Sequence, residues 1–594
     1  MISAAARRIA AAATTSTTTH SRTYAMASSA PKRAYEDGRS YRFKKQQKKE
    51  QVAGKPDGTH EEVLLKDITA LLQKHSLNEQ SEVEEKLPEP FSEIDVTVDE
   101  ISSTGDGLAR LPGSRQIYVV PFTAPGDKVK AKVIRHFPKN GYTTADFVSV
   151  VEPSPQRDDS LIRCPYFASC SGCQFQMLPY AAQLAHKKTI VEKAYKNFSD
   201  LPPELVPAVG ETIGSPLQYG YRTKLTPHFD GPPGMKRSDG RNGIKRHFEA
   251  VPPIGFMKKG TRHTMDIEDC PIGTDAVRMG MKRERARVAA ELGRYTKGAT
   301  LLLRESTKRL PKDPAPAPRD DAILEDRGTH FHEKTCVTDP NGTTTEFIDD
   351  YQFSNPAGAF FQNNNSILSP FTQYVRSHIL PPSPTTTTTA TPTAPSQNTT
   401  PIQHLIDAYS GSGLFTITLS PLFPSSLGID ISATSIASAS QNAALNALSP
   451  THASFLAADA AHLFASITSP AAETAVVIDP PRKGCDDSFL RQLLRYSPAR
   501  VLYVSCNVHT QARDVGVLVS GMKGVDAGFG VGEGAYEIES VRGFDFFPQT
   551  GHVEGVAVLR RREEGAVKGV EVEVEVEKEA DAAAQLVPEV QKEA

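Results

Sequence analysis

The sequence predicts an α/β protein of three unlike parts: a small β-barrel near the N-terminus, a central α+β segment carrying a cysteine cluster, and a C-terminal doubly wound domain. Three observations predict this. From about residue 352, strand-like and helix-like runs alternate, and the glycine turn Tyr409-Ser410-Gly411-Ser412-Gly413 follows one such strand. Between residues 88 and 153, short alternating runs are separated by glycine turns. Between these parts Cys164, Cys170 and Cys173 stand at C-x5-C-x2-C spacing. At 594 residues the chain exceeds what a single core can fill.

The ends differ from the body. Net charge is −3, so overall charge selects no partner. Residues 1–50 hold 11 Lys/Arg against 3 Asp/Glu, and residues 561–594 hold 5 against 10. Residues 1–25 carry Arg7, Arg8 and Arg22 among Ala, Ser and Thr, with no acid before Glu36, which is the composition of a mitochondrial transit peptide. Met26 offers a second start that would omit it, so residence in the mitochondrion and in the cytoplasm or nucleus is expected of the two products. Residues 51–87 read as a linker with an amphipathic helix over 60–78, and 563–594 as an acidic tail with a Val-Glu repeat at 570–577. No apolar run approaches the ~20 residues of a membrane span. Seven cysteines in so long a chain do not make a secreted disulfide scaffold.

Residues 88–153 form the barrel. Val96, Val98 and Ile101 alternate with polar residues, and the runs Ile117–Val120, Gly126–Val133 and Tyr142–Val151 come after them. Lys128, Lys130, Lys132 and Arg135 fall near one strand face, as in small barrels that bind nucleic acid.

Residues 154–351 are the central segment. Cys164, Cys170 and Cys173 need a fourth ligand, and Cys270 in Asp269-Cys270-Pro271 is the natural candidate. The wide first gap suits an Fe–S cluster, with zinc as the alternative. Arg222 and Lys224 sit in a basic loop. Residues 305–320, charged and Pro-rich, and the low-complexity run 381–401 read as mobile insertions.

Residues 352–562 hold the chemistry. Asp430 and Asp459 end successive expected strands, where a carboxylate can hold ribose hydroxyls or reach an adenine edge. Ala475–Ile478 is a strand stopped by Asp479-Pro480-Pro481, whose prolines stiffen the loop that carries Asp479. Val501–Val504 is a buried strand that delivers Cys506 in Ser505-Cys506-Asn507 at its edge. Glu554 closes the run FPQTGHVE. A thiolate and a carboxylate at neighbouring sheet ends suit methylation of uracil carbon 5. The thiolate adds to carbon 6, carbon 5 becomes nucleophilic, and a base then removes its proton.

These residues carry two resemblances. GDGLAR followed by VPFTAPGDKVKAKV resembles the TRAM domain of RNA-modifying enzymes. FSNPAGAFFQNN, DAYSGSGLF, DPPRKG, VSCN and FPQTGHVE, in that order, resemble the RNA uracil-5-methyltransferase family from about residue 90 to 560, with its fungal tRNA branch nearest. That resemblance implies a Rossmann-like S-adenosylmethionine domain in which Cys506 is the nucleophile and Glu554 the base. It implies donor contacts from Gln362, Tyr409, Gly411, Gly413, Asp430, Asp459 and Asp479. It implies a [4Fe-4S] cluster on Cys164, Cys170, Cys173 and Cys270, RNA contacts from Arg222 and Lys224, and tRNA as partner, with the T-loop uridine 54 flipped out of its stack. Leu414 stands where bacterial members carry Asn, and Val508 where many carry Pro, a change expected to loosen the loop after Cys506. Methylation of rRNA, cytosine-5 methylation and a non-catalytic RNA-binding Fe–S protein are the competing readings. No membrane and no obligate protein partner are expected.

Overall fold

A computed structural model describes residues 56–76, 86–234, 245–381, 401–458, 464, 467–528, 530 and 532–563. The expected presequence with Met26, residues 382–400 of the low-complexity insertion, Asp459 and the acidic tail beyond Glu563 lie outside the described residues. Among the described residues no helix is long and apolar enough to cross a membrane.

Helix α1 spans His60–Ser76. Thr59 and Glu62 start it: Thr59 Oγ1 accepts from Glu62 N, and Glu62 Oε2 accepts from Gly58 N at 2.9 Å, a variant of the capping box. Leu64, Ile68 and Leu71 pack on Leu108, Ile117, Val119 and Tyr142 of the barrel. Val63 instead enters the core of the C-terminal domain. The helix is thus a wedge between two cores.

Strands β1 (Glu93–Ile101), β2 (Gly107–Arg110), β3 (Ile117–Val120), β4 (Lys128–Phe137) and β5 (Tyr142–Glu152) close into a barrel in the order β1-β2-β3-β5-β4. Period-2 alternation sends Val96, Val98, Val129, Ala131 and Tyr118 inward. The basic face of β4 is partly neutralised: Lys128 pairs with Glu152 at 3.0 Å and Lys130 with Asp95 at 3.1 Å.

The next segment divides its loyalties. Helix α2 (Tyr180–Phe198) and strand β6 (Gly210–Ile213) lie within the central stretch of sequence. Yet Ile190, Val191, Ala194, Tyr195 and Phe198 share one hydrophobic cluster with Val501, Tyr503 and Val515, and β6 extends the C-terminal sheet. Strands β7 (Lys224–Leu225) and β8 (His228–Phe229), helix α3 (Asp275–Ala290), and strands β9 (Ala299–Thr300), β10 (Leu303–Pro311), β11 (Ala322–Asp326) and β12 (His330–Val337) form the central body. Its sheet has the order β11-β12-β10-β7.

The expectation that 305–320 is a mobile insertion is corrected here. Residues up to Pro311 are a paired strand, in register from Arg304↔Val337 to Pro311↔His330. Cross-strand pairing and a buried Arg304–Glu346 ion pair at 2.5 Å outweigh the charged composition. Strands β13 (Thr343–Ile348) and β14 (Tyr351–Pro356) make a hairpin, and helix α4 (Leu368–His378) comes next.

The C-terminal domain alternates β15 (His404–Ala408), α5 (Leu414–Leu419), β16 (Ser425–Asp430), α6 (Ala433–Leu445), β17 (Ala453–Ala457), β18 (Thr474–Ile478), α7 (Asp487–Tyr496), β19 (Arg500–Ser505), α8 (Val508–Ser520), β20 (Tyr536–Phe544) and β21 (Glu554–Arg561). Its eight-stranded sheet runs β17-β16-β15-β18-β19-β21-β20-β6, with β21 antiparallel to β19. The order reverses between β15 and β18, so their C-terminal ends open the crevice where such sheets bind ligands.

Candidate active site

The thiol and the carboxylate singled out from sequence meet at one sheet end. Register pairs Ser505 of β19 with Gly555 of β21. Cys506, just past the end of β19, and Glu554, the first residue of β21, therefore leave neighbouring strand ends at the same edge of the sheet. Both line a cavity of about 840 Å³, together with Gln362, Tyr409, Gly411, Asp430 and Asp479.

The glycine turn forms one wall. Tyr409 (φ 65°), Gly411 (φ 55°) and Gly413 (φ 89°) all take left-handed backbone, so the chain reverses within a few residues of β15. Asp430 stabilises the turn, its Oδ2 accepting from Gly411 N at 3.1 Å and its Oδ1 from Ser432 N at 2.8 Å. Gly413 does not reach the cavity wall: a Cβ there would meet Ile417, Ala439 and Phe455 at 3.1–3.2 Å. Its role is close packing of α5 on the sheet. Leu414 lines the cavity as an apolar surface. Beneath the turn the buried Asp407 accepts from Thr416 N at 2.8 Å and Thr416 Oγ1 at 2.7 Å, and burial raises its carboxyl to about 7.

Three acidic groups crowd the opposite wall. Burial first, then Glu554 and Asp479, push the Cys506 thiol up to about 12. Burial, then Asp479, holds the Glu554 carboxyl well above the usual range, and burial, then Asp407, lifts Asp479 to about 7. Arg482 opposes these shifts at both Cys506 and Glu554, and it hydrogen-bonds the sulfur. The guanidinium is thus a functional group that sequence reading left unassigned; the signal was a cation directly after Asp479-Pro480-Pro481. With its shift Cys506 rests as the thiol, and Glu554 holds a proton more tightly than an ordinary carboxyl. A cation entering the cavity favours the ionised form of each.

The run that ends in Glu554 is pinned from the central stretch. Lys187 and Asp545 form a fully buried ion pair, and Lys187 Nζ also donates to Phe547 O at 3.0 Å. Gln183 Nε2 donates to Gln549 Oε1 at 3.1 Å, Tyr221 Oη to Pro548 O at 3.1 Å, and Gly551 N to Gln174 Oε1 at 2.9 Å. The loop after Cys506 has its own contacts. Val508 is buried, and Asn507 caps α8.

The four clustered cysteines come together as well. Cys164, Cys170, Cys173 and Cys270 line a second cavity of about 190 Å³. Burial raises Cys164 to about 11, and Cys173 and Cys270 to about 12. Among the described residues no group of three or more His, Cys, Asp or Glu is spaced to hold a metal ion. The donor set is nonetheless all sulfur, which suits soft metals, and the cavity is several times the ~30 Å³ of one water. Arg222 lines both cavities and lies 5.9 Å from the Phe547 ring. Lys224 reaches Gly358 O and Ala359 O at 3.4 Å, beside the run before Gln362.

Comparison with known proteins agrees with this geometry. The family described as tRNA (Uracil-5-)-methyltransferase matches residues 394–562, and the TRAM domain matches residues 89–148. The chain is 44% identical over 506 residues to the tRNA (uracil(54)-C(5))-methyltransferase of Schizosaccharomyces pombe, covering 85% of this chain and 84% of that one. It is 39% identical over 534 residues to the protein of the same name in Saccharomyces cerevisiae, covering 84% of this chain and 78% of that one. Its fold is similar to the crystal structure of the Pyrococcus abyssi tRNA (uracil-54, C5)-methyltransferase in complex with S-adenosyl-L-homocysteine. That match has a TM-score of 0.51 at 22% identity and covers 78% of this chain and 100% of that chain.

Proposed function

The chain belongs to the tRNA (uracil-5-)-methyltransferase family, and from that premise we propose that it methylates carbon 5 of uridine 54 in the tRNA T-loop, using S-adenosylmethionine. The observation that carries this is that Cys506 and Glu554, at neighbouring strand ends of one sheet, line a single cavity.

Gln362, Tyr409, Gly411, Asp430 and Asp479 would hold the donor, Asp430 at its ribose; Asp459 is proposed from sequence alone. When bound, S-adenosylmethionine supplies the methyl group that carbon 5 accepts. The chain's residues do the rest. The Cys506 thiol first gives up its proton to water; the thiolate then forms a bond to carbon 6, and the carbon 5–carbon 6 π electrons move toward the carbonyl at carbon 4 as an enolate. Carbon 5, made nucleophilic, takes the methyl group. Glu554 then removes the carbon 5 proton; the double bond re-forms as the sulfur–carbon bond breaks, and the thiolate is released. The apolar surroundings that raise Glu554 also make it a strong base once ionised. Arg482 stabilises the thiolate. The barrel, whose TRAM match suits RNA binding, supplies backbone contacts, and the target base leaves its stack to reach Cys506.

The four cysteines of the second cavity are proposed to hold a [4Fe-4S] cluster in a structural role, since uracil methylation transfers no electrons. Iron assay and absorbance near 400 nm after anaerobic purification decide between it and zinc. Two products, from Met1 and Met26, are proposed to serve the mitochondrion and the cytoplasm or nucleus; separate tagging of the two starts tests this, and one uncleaved species in one compartment would refute it. The function itself is tested with unmodified tRNA transcripts. Methyl incorporation at the T-loop uridine is expected, and its persistence after that uridine is replaced by cytidine would refute the assignment.

A further inference from the structure

The few residues before α1 touch the loop of the catalytic thiol. Asn507 directly follows Cys506, and its Oδ1 accepts from His509 N at 3.2 Å. Its Nδ2 donates to Arg482 O at 3.0 Å and also to Gly58 O at 3.2 Å. On α8, Arg513 Nη1 donates to Pro56 O at 2.9 Å and Nη2 to Lys483 O at 2.9 Å. Its charge is met by Asp514 at 2.8 Å. Two side chains therefore tie three separate stretches together: residues 56–58, the turn after Asp479-Pro480-Pro481, and the first turn beyond Cys506.

Gly58 makes the approach possible. Its φ is +60°, and a Cβ would stand 2.8 Å from Thr510 Cγ2 and 3.2 Å from Asn507 Nδ2. The capping contacts of Thr59 and Glu62 fix the far end of the stretch, and α1 is itself anchored by its packing on the barrel. These residues lie outside both matched regions, 89–148 and 394–562.

We propose that residues 56–59 are a positioning strap for the thiol, acting through Asn507 and Arg513 to hold Cys506 in line with carbon 6 of the base. The proposal rests on the uracil reading above. Asn507 and Arg513 are positioning residues; neither needs to touch substrate. Misplacement of a reacting group by about 1 Å costs on the order of 100-fold in rate.

The test is Gly58→Val in the full chain. A β-branched residue is disfavoured at positive φ, and its Cβ displaces Thr510 and Asn507. We expect kcat to fall by about ten- to a hundredfold, while KM for tRNA and for S-adenosylmethionine and the melting temperature hold. Adding Val508→Pro should restore most of kcat, because proline at the first helical position fixes φ where the N–H has no intrahelical partner. Unchanged kcat despite lost hydrogen-exchange protection at 56–60 would overturn the strap. So would a loss that tracks the melting temperature and is not rescued by Val508→Pro. Should Gly58→Val fail to fold, Gly58→Ala is read in the same way. If the unaltered chain forms no 5-methyluridine, the uracil reading falls, and the strap is then judged on Cys506 alkylation: faster in Gly58→Val upholds it, and an equal rate overturns it.

Discussion

The two cavities of this protein begin from the same chemistry and diverge through their neighbours. Each is lined by half-buried thiols raised to about 12, Cys506 in one, Cys173 and Cys270 in the other. Around Cys506 stand two raised acids and the Arg482 guanidinium. Around Cys173 and Cys270 stand the other cysteines of the cluster, with Arg222 as the opposing cation at Cys173. A lone thiol beside a base and a cation can form and break a covalent bond. Four thiols around one space suit a soft metal group. The difference teaches that company, more than burial, assigns a cysteine its role.

The sharpest way to break that comparison is Cys506→Ala. Methyl transfer should vanish while tRNA affinity, measured by filter binding, stays near wild type; retained turnover would move the nucleophile elsewhere. Next is Glu554→Gln, which keeps the volume but removes the base. Turnover should fall by about 10²–10⁴-fold, and a protein–tRNA adduct that survives denaturant should accumulate on gels. Failure to see that adduct, with turnover lost, would leave Glu554 acting before the carbon–sulfur bond forms.

Cys270→Ser probes the other cavity. Iron content and the melting temperature should both drop, whereas the folded fraction keeps the wild-type pH profile of methyl transfer. An altered profile at full folding would mean that the second cavity takes part in the chemistry. The smallest expected effect concerns charge. With its pKa raised to about 12, Cys506 is almost wholly thiol at neutral pH, so its alkylation rate should climb about tenfold per pH unit from pH 7 to 10. Saturating S-adenosylmethionine should raise that rate relative to S-adenosylhomocysteine, which fills the same site without the sulfonium charge. Equal rates would show that the donor's charge is not felt at the sulfur.

Much of the site was legible because its parts are short runs with their own local meaning. Ser505-Cys506-Asn507 after a β-branched strand, and two prolines after Asp479, each name a strand end without reference to anything distant. Alternation in 88–153 likewise announced the barrel, since period 2 is a local property. Composition misled at 305–311, where Glu305, Lys308 and Arg309 sit in a strand paired along its length with β12. The glycine turn was half read: Gly411 borders the cavity, and Gly413 serves helix packing.

The sequence by itself determined which chemistry-bearing groups exist and that each sits at the end of a strand or in a turn, because hydrophobic period and turn residues act over a few positions. Only the tertiary structure decided which groups face one another. The bond from Asn507 to Gly58 spans 449 residues, and that from Gln183 to Gln549 spans 366. The helix that read as part of a linker became a wedge between two cores, and a stretch of the central segment became part of the catalytic sheet. Such pairings arise from burial of apolar area and from satisfying buried polar groups, both properties of the packed whole, and no window of sequence contains them.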